Sequence, residues 1–139
     1  MPERTALPDI IHRYLDVYNR RDVEALVACV SETVVFENVS NTRPSLRIDG
    51  RDAFARLAAQ AAETFTLRRL EVRTAVIAGD HVAPEVDWTG TPAVDLGEFR
   101  AGERVVLRGA SFFTISGDRL VRSWISVERP DSRQRISGP

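Results

Sequence analysis

Residues 67–128 set the tightest limit on the fold. They carry four strand signals in succession, rich in β-branched residues and broken by Gly79-Asp80 and Ser116-Gly117-Asp118, with no helical stripe among them. The runs cover residues 67–78, 82–90, 104–115 and 119–128, while residues 91–102, with Pro92, Gly97 and Gly102, read as an irregular hairpin end. Connections this short join antiparallel neighbours.

Ahead of the strands the period changes to that of helices. Leu7, Ile10, Ile11, Tyr14, Leu15 and Tyr18 form one stripe ending near Asn19. Asp22 is placed to cap a second helix bearing Val23, Leu26, Val27 and Val30. Residues 33–38 read as a short strand, 38–50 as a loop, and 51–65 as a third helix with Phe54, Leu57, Ala58, Ala61 and Phe65 on one face. Three helices followed by antiparallel strands predict an α+β domain with the helices on one sheet face. One domain over residues 1–130 and a frayed tail over 131–139 account for the 139-residue chain.

Composition narrows the partners. A net charge of −1 calls for neither nucleic acid nor an anionic membrane, and the pairs Arg20-Arg21 and Arg68-Arg69 read as solvated faces. The single cysteine, Cys29, excludes an internal disulfide, has no ligand-spaced neighbour for zinc, and is expected to be a buried small hydrophobe. His12 and His81 are expected in solvent. MPERTALPD lacks the apolar run of a signal peptide and no later segment is long enough to span a bilayer, so a cytoplasmic location is expected.

The stretch Glu85-Val86-Asp87-Trp88-Thr89 carries the functional question. On a strand Glu85, Asp87 and Thr89 share one face, Val86 and Trp88 the other. Two acids on one face repel unless water or a cation takes up the charge. The alternation alone allows two placements: acids in a wet cavity with the indole outside, or acids in solvent with Val86 and Trp88 in the core.

The order of elements, with Tyr14 and Asn19 in RYLDVYN, Asp22-Val23-Glu24-Ala25-Leu26, Phe36-Glu37-Asn38, Gly50-Arg51-Asp52-Ala53-Phe54 and Gly117-Asp118-Arg119-Leu120, resembles the SnoaL-like branch of the nuclear transport factor 2-like superfamily. That branch includes polyketide cyclases, ketosteroid isomerase and limonene epoxide hydrolase. The resemblance implies a cone: a curved antiparallel sheet wrapped around the three helices, with a deep apolar pocket and an outer face that commonly dimerises. It further implies that Glu85, Asp87 and Thr89 face the pocket. Val86, Trp88, Val105, Leu107, Phe113, Ile115 and Trp124 would then form an outer apolar stripe, which predicts a homodimer.

By the same resemblance Asp87 matches a catalytic aspartate of limonene epoxide hydrolase, and Asn38 its water-holding asparagine, with Phe36 in place of a tyrosine. Glu85 stands where that enzyme has arginine, and Ile125 where it has its second aspartate. Tyr14 matches the oxyanion-hole tyrosine of ketosteroid isomerase, but Asn38 replaces its base and Ala110 its second donor. An altered acid set remains: Asp87 as general acid or base, framed by Glu85 and by Arg108, which a hairpin centred on Leu96-Gly97 places opposite Glu85. Asp87 would then have a raised pKa. Tyr14, Phe36, Asn38, Thr89, Phe112 and Ile125 would contact a small, hydrophobic, oxygenated molecule, with no metal or organic cofactor required. Cofactor-independent cyclisation, isomerisation or epoxide opening is the leading expectation. The alternatives are a non-catalytic binder of a hydrophobic ligand and an interaction module using the outer sheet.

Overall fold

The computed structural model describes residues 6–41 and 44–130; the expected frayed tail and most of the N-terminal lead-in lie outside them. Its helices are α1 (Asp9–Asn19), α2 (Val23–Val27) and α3 (Arg51–Thr64). Its strands are β1 (Val30–Asn38), β2 (Leu46–Asp49), β3 (Phe65–Ala78), β4 (His81–Pro92), β5 (Val105–Ser116) and β6 (Arg119–Glu128). The expected α+β architecture is present. The six strands form one curved, unclosed sheet in the order β2-β1-β6-β5-β4-β3.

Two features differ from the expected antiparallel sheet. β1 runs parallel to β6, so the sheet is mixed. Residues 46–49, expected in a loop, pair with the end of β1 as β2, placing Phe36 beside Ile48. A strand of only four residues next to Pro44 is too short to show a period in the sequence.

The helices pack on the concave face for the reason their stripes predict. Ile10, Ile11, Tyr14 and Val17 of α1 are buried with Leu26, Phe54 and Ala58 against Val34, Val82, Phe113 and Leu120 of the sheet. Each Val, Leu, Ile or Phe among them contributes about 1.5–3 kcal/mol on leaving water. Asp22 caps α2 as expected, its carboxylate accepting from the Ala25 N–H at 3.2 Å. Gly50, at φ 96°, turns the chain from β2 into α3 in a conformation that a side chain would strain. A second cluster, built on Leu70, Val86, Trp88, Phe99, Val105 and Leu107, lines the concave side of β3, β4 and β5.

β3 is an edge strand of 14 residues, and α1 covers part of it. The Asn19 carboxamide accepts from the Leu70 N–H at 2.7 Å and donates to the Leu70 carbonyl at 3.2 Å, as a neighbouring strand would. Arg21 donates to the carbonyls of Phe65 and Thr66 along the same edge. These bonds fix the C-terminal turn of α1 over the concave face, where it forms one wall of a cavity.

Candidate functional site

Between the helices and the concave sheet face lies a cavity of ≈ 770 Å³. Small-molecule sites run roughly 300–1,000 Å³. Its lining is mostly aromatic and aliphatic, from Phe36 and Phe54 at one end to Trp88 and Leu107 at the other. Among the polar exceptions are Tyr14, Tyr18, Arg68, Ser111, Ser123 and Asn38.

Tyr14 and Tyr18 lie one helical turn apart on α1, with ring centroids at 6.2 Å. The Tyr14 ring meets Phe113 edge-on at 5.3 Å. Burial, reinforced by Tyr18, drives the Tyr14 pKa upward against the opposing pull of Ser123 and Arg68, so its phenol stays neutral. Tyr18 is shifted upward by burial as well. Its hydroxyl accepts the Trp88 Nε1–H at 2.9 Å, which leaves its own proton to donate elsewhere. The indole is further held by Phe65, edge-on at 5.0 Å.

Gly90 is what lets Trp88 lie where it does. A Cβ at Gly90 would stand 2.3 Å from Cη2 of the indole, so the ring rests directly against the glycine. Gly90, Trp88 and Val86 share the inner face of β4, and all three are buried.

This parity corrects the orientation that the resemblance implied. Trp88, Val86, Val105, Leu107 and Phe113 are buried on the concave side, not arrayed outside. Glu85, Asp87 and Thr89 lie on the outer face, away from the cavity lining. The physical reason is the difference in cost: burying two carboxylates in apolar surroundings costs several kcal/mol each, whereas the indole and valine gain by leaving water. Cross-strand partners agree, with Leu70 beside Trp88 and Val72 beside Val86 inside, and Glu71 beside Asp87 outside.

Outside, Asp87 accepts from Arg108 Nε at 2.8 Å and from Arg73 Nη1 at 2.9 Å. Its pKa is lowered, first by the Arg108 hydrogen bond and then by that from Arg73, the reverse of the expected rise. Glu85 stands 3.9 Å from Arg73. Arg108 faces Asp87 and Ala110 faces Glu85, because the hairpin turns about Gly97-Glu98 and each partner shifts by two. Arg108 therefore pairs with Asp87 and not with Glu85, whose ion pair is with Arg73, and the three lie in a partly solvated outer cluster.

Of the expected contact residues, Tyr14, Phe36, Asn38 and Ile125 line the cavity, with Asn38 and Ile125 side by side on β1 and β6. Thr89 and Phe112 do not. Phe112 alternates with the cavity-lining Ser111 and Phe113 and lies tilted beside His81 on the outer face, centroids at 5.6 Å. Trp124, between Ser123 and Ile125, keeps its expected outer position. With Val86, Trp88, Val105, Leu107 and Phe113 inside, five of the seven residues of the apolar stripe that argued for a homodimer are missing from that face.

Tyr18, Trp88, Arg68, Ser111 and Ser123 are lining residues that the sequence reading left out. Arg68 had a signal available: it alternates with Leu70 and Val72 on one face of β3, while Arg69, Glu71 and Arg73 take the other. Glu98 is the one carboxylate among the described lining residues, and it pairs with Arg129 at 3.3 Å. No cluster of three or more His, Cys, Asp or Glu suited to a metal occurs among the described residues, and no described helix is long and apolar enough to cross a membrane.

Helices packed on a curved sheet around an apolar cavity define a class of small-molecule pocket folds. Residues 11–123 match the SnoaL-like domain model, and the chain belongs to that family. Among solved structures it is similar to a candidate SnoaL-like polyketide cyclase from Shewanella putrefaciens CN-32, with TM-score 0.76 and 11% identity over 95% of this chain and 98% of that one. It is similar to a candidate polyketide cyclase from Xanthomonas campestris pv. campestris, with TM-score 0.67 and 25% identity over 92% of each chain. A third likeness is to an LEH-like epoxide hydrolase from M. tuberculosis, with TM-score 0.69 and 16% identity over 86% of this chain and 80% of that one. No curated protein matches the sequence.

Proposed function

We propose that this protein binds a small, largely apolar, oxygenated molecule inside the cone, and that the outer acid cluster takes no part. The observation that carries this reading is the cavity itself: ≈ 770 Å³, aromatic-walled, with a few polar groups among its lining. Such a site draws an apolar body in and orients it by a small number of hydrogen bonds. N-phenyl-1-naphthylamine, a neutral apolar reporter, tests it. Wild type should bind the dye with quenching of Trp88, and Ala61→Trp, which fills the lining, should weaken binding at least about tenfold. Absence of dye binding, or an unchanged affinity in Ala61→Trp, would overturn the reading.

A second reading, catalysis of the cyclase or isomerase kind, is favoured by the neutral Tyr14 phenol and the free Tyr18 proton. Two O–H donors in an apolar site can polarise a carbonyl and hold the enolate oxygen that forms when an α-proton leaves to water. This route differs from the expected one in using no carboxylate base. Exchange of the α-protons of 1-tetralone in D₂O measures it: Tyr14→Phe should slow exchange and Asp87→Asn should not. Equal rates with and without the protein would sink it.

A further inference from the structure

Arg68 is an unusual residue to find on the wall of an apolar cavity. It is 7% exposed, and its guanidinium carbon lies 3.8 Å from the centre of the Tyr18 ring. Its Nε donates to the Tyr18 carbonyl at 3.1 Å, near the C-terminus of α1, where the helix favours positive charge. That is where its compensation stops. Nη2 is buried with no hydrogen-bond partner, and none of the ion pairs among the described residues includes Arg68. The contrast with its strand neighbours is direct: Arg69 has Glu71 at 2.9 Å and Arg73 has Asp87 at 2.9 Å.

An arginine does not shed its proton, so this charge is permanent. A buried charge without a counter-charge costs several kcal/mol, and an aromatic face plus one carbonyl offsets only part of that. We infer that the cavity is built for an apolar molecule bearing one anionic oxygen group, a carboxylate, with Arg68 as its anchor. A single guanidinium matches a single negative charge; a phosphate dianion would call for more cations than the cavity supplies. The planar fork of N–H donors left over after the Tyr18 bond suits a carboxylate in particular. The apolar body would then extend past Leu70 and Trp88 into the rest of the cavity. This deepens the binding reading above and rests on it.

The test is displacement of N-phenyl-1-naphthylamine by decanoate and by 1-decanol, which share a chain and differ in charge. Without an anchor the alcohol should win, because a carboxylate is costlier to dehydrate. With Arg68 present, decanoate should displace the dye at the lower concentration. Arg68→Met should shift the acid-to-alcohol ratio by about 10- to 100-fold toward the alcohol, and Arg68→Lys should retain a preference for the acid. In wild type alone the preference should disappear as the acid protonates below roughly pH 4, which decides the matter even where a variant fails to fold. A wild-type protein that binds the dye but prefers decanol, or whose ratio is unmoved by Arg68→Met, overturns the anchor and leaves the pocket standing. A protein that binds no dye overturns both.

Discussion

Gly90→Ala is the sharpest probe of how the cavity wall is assembled. The added methyl would sit 2.3, 2.8 and 2.9 Å from Cη2, Cζ2 and Cζ3 of Trp88. Carbon atoms rest at about 3.5–4.0 Å, so the six-membered ring must lift by roughly 1 Å or more. A shift of that size breaks the 2.9 Å bond from Nε1 to the Tyr18 hydroxyl and drives the indole into the cavity. Overpacking of this kind costs about 1–3 kcal/mol, and an orphaned buried N–H a similar amount, so a loss of about 2–5 kcal/mol is expected. In urea the unfolding midpoint should fall by about 1–3 M. Trp88 emission should move to the red, and N-phenyl-1-naphthylamine should bind more weakly. In a Trp88→Ala background the same glycine change should cost clearly less than in wild type, since the three atoms nearest the added methyl are gone. A Gly90→Ala protein with an unchanged midpoint and emission would refute the placement of the indole, and with it the inward parity of β4.

Two further predictions follow from the walls around it. Asp87→Asn should leave ligand binding untouched and lower the melting temperature by about 4 °C or less at neutral pH, because its arginine partners are half exposed. Since the folded-state pKa is depressed, the wild-type advantage should be complete above about pH 4 and vanish as pH falls through the lower folded value; melts compared across pH 2–7 measure this. Asn19→Ala removes both side-chain bonds to Leu70 at the β3 edge and should cost about 1–3 kcal/mol, with amide exchange at Leu70 accelerating more than that of residues in the β5–β6 ladder.

What the sequence disclosed divides along physical lines. Period and capping located the helices and five of the six strands, because Ile10, Ile11 and Tyr14 repeat at helical spacing and Asp22 precedes a turn of helix. The short β2 escaped notice for want of a repeat. At Glu85–Thr89 the alternation was plain but its direction was not: a period of two defines two faces without saying which is inside. Family likeness resolved the choice toward the acids, whereas the energetics of burying an indole against two carboxylates resolve it the other way. The neighbouring β3 held the clue, since Leu70 and Val72 point inward and carry Arg68 with them. Arg68 and Arg69, adjacent on β3, take opposite faces, so only Arg69 belongs to the solvated side. Asn38 and Ile125, from opposite ends of the sequence, could be brought together only by the parallel pairing of β1 with β6.

That pairing has a consequence for how the molecule comes into being. β1 acquires its main neighbour only when the last strand of the sheet is in place, with Val30 aligned to Leu120 and Asn38 to Ile125. Closing a contact over so long a separation is slow, because the chain entropy is lost before the ladder forms. Until then the helices have no complete floor to rest on, and Asn38, Ser123 and Ile125 do not share a chamber. Ligand binding should therefore be among the last properties to appear during refolding, lagging the far-ultraviolet signal of the helices and of the β3–β4 hairpin.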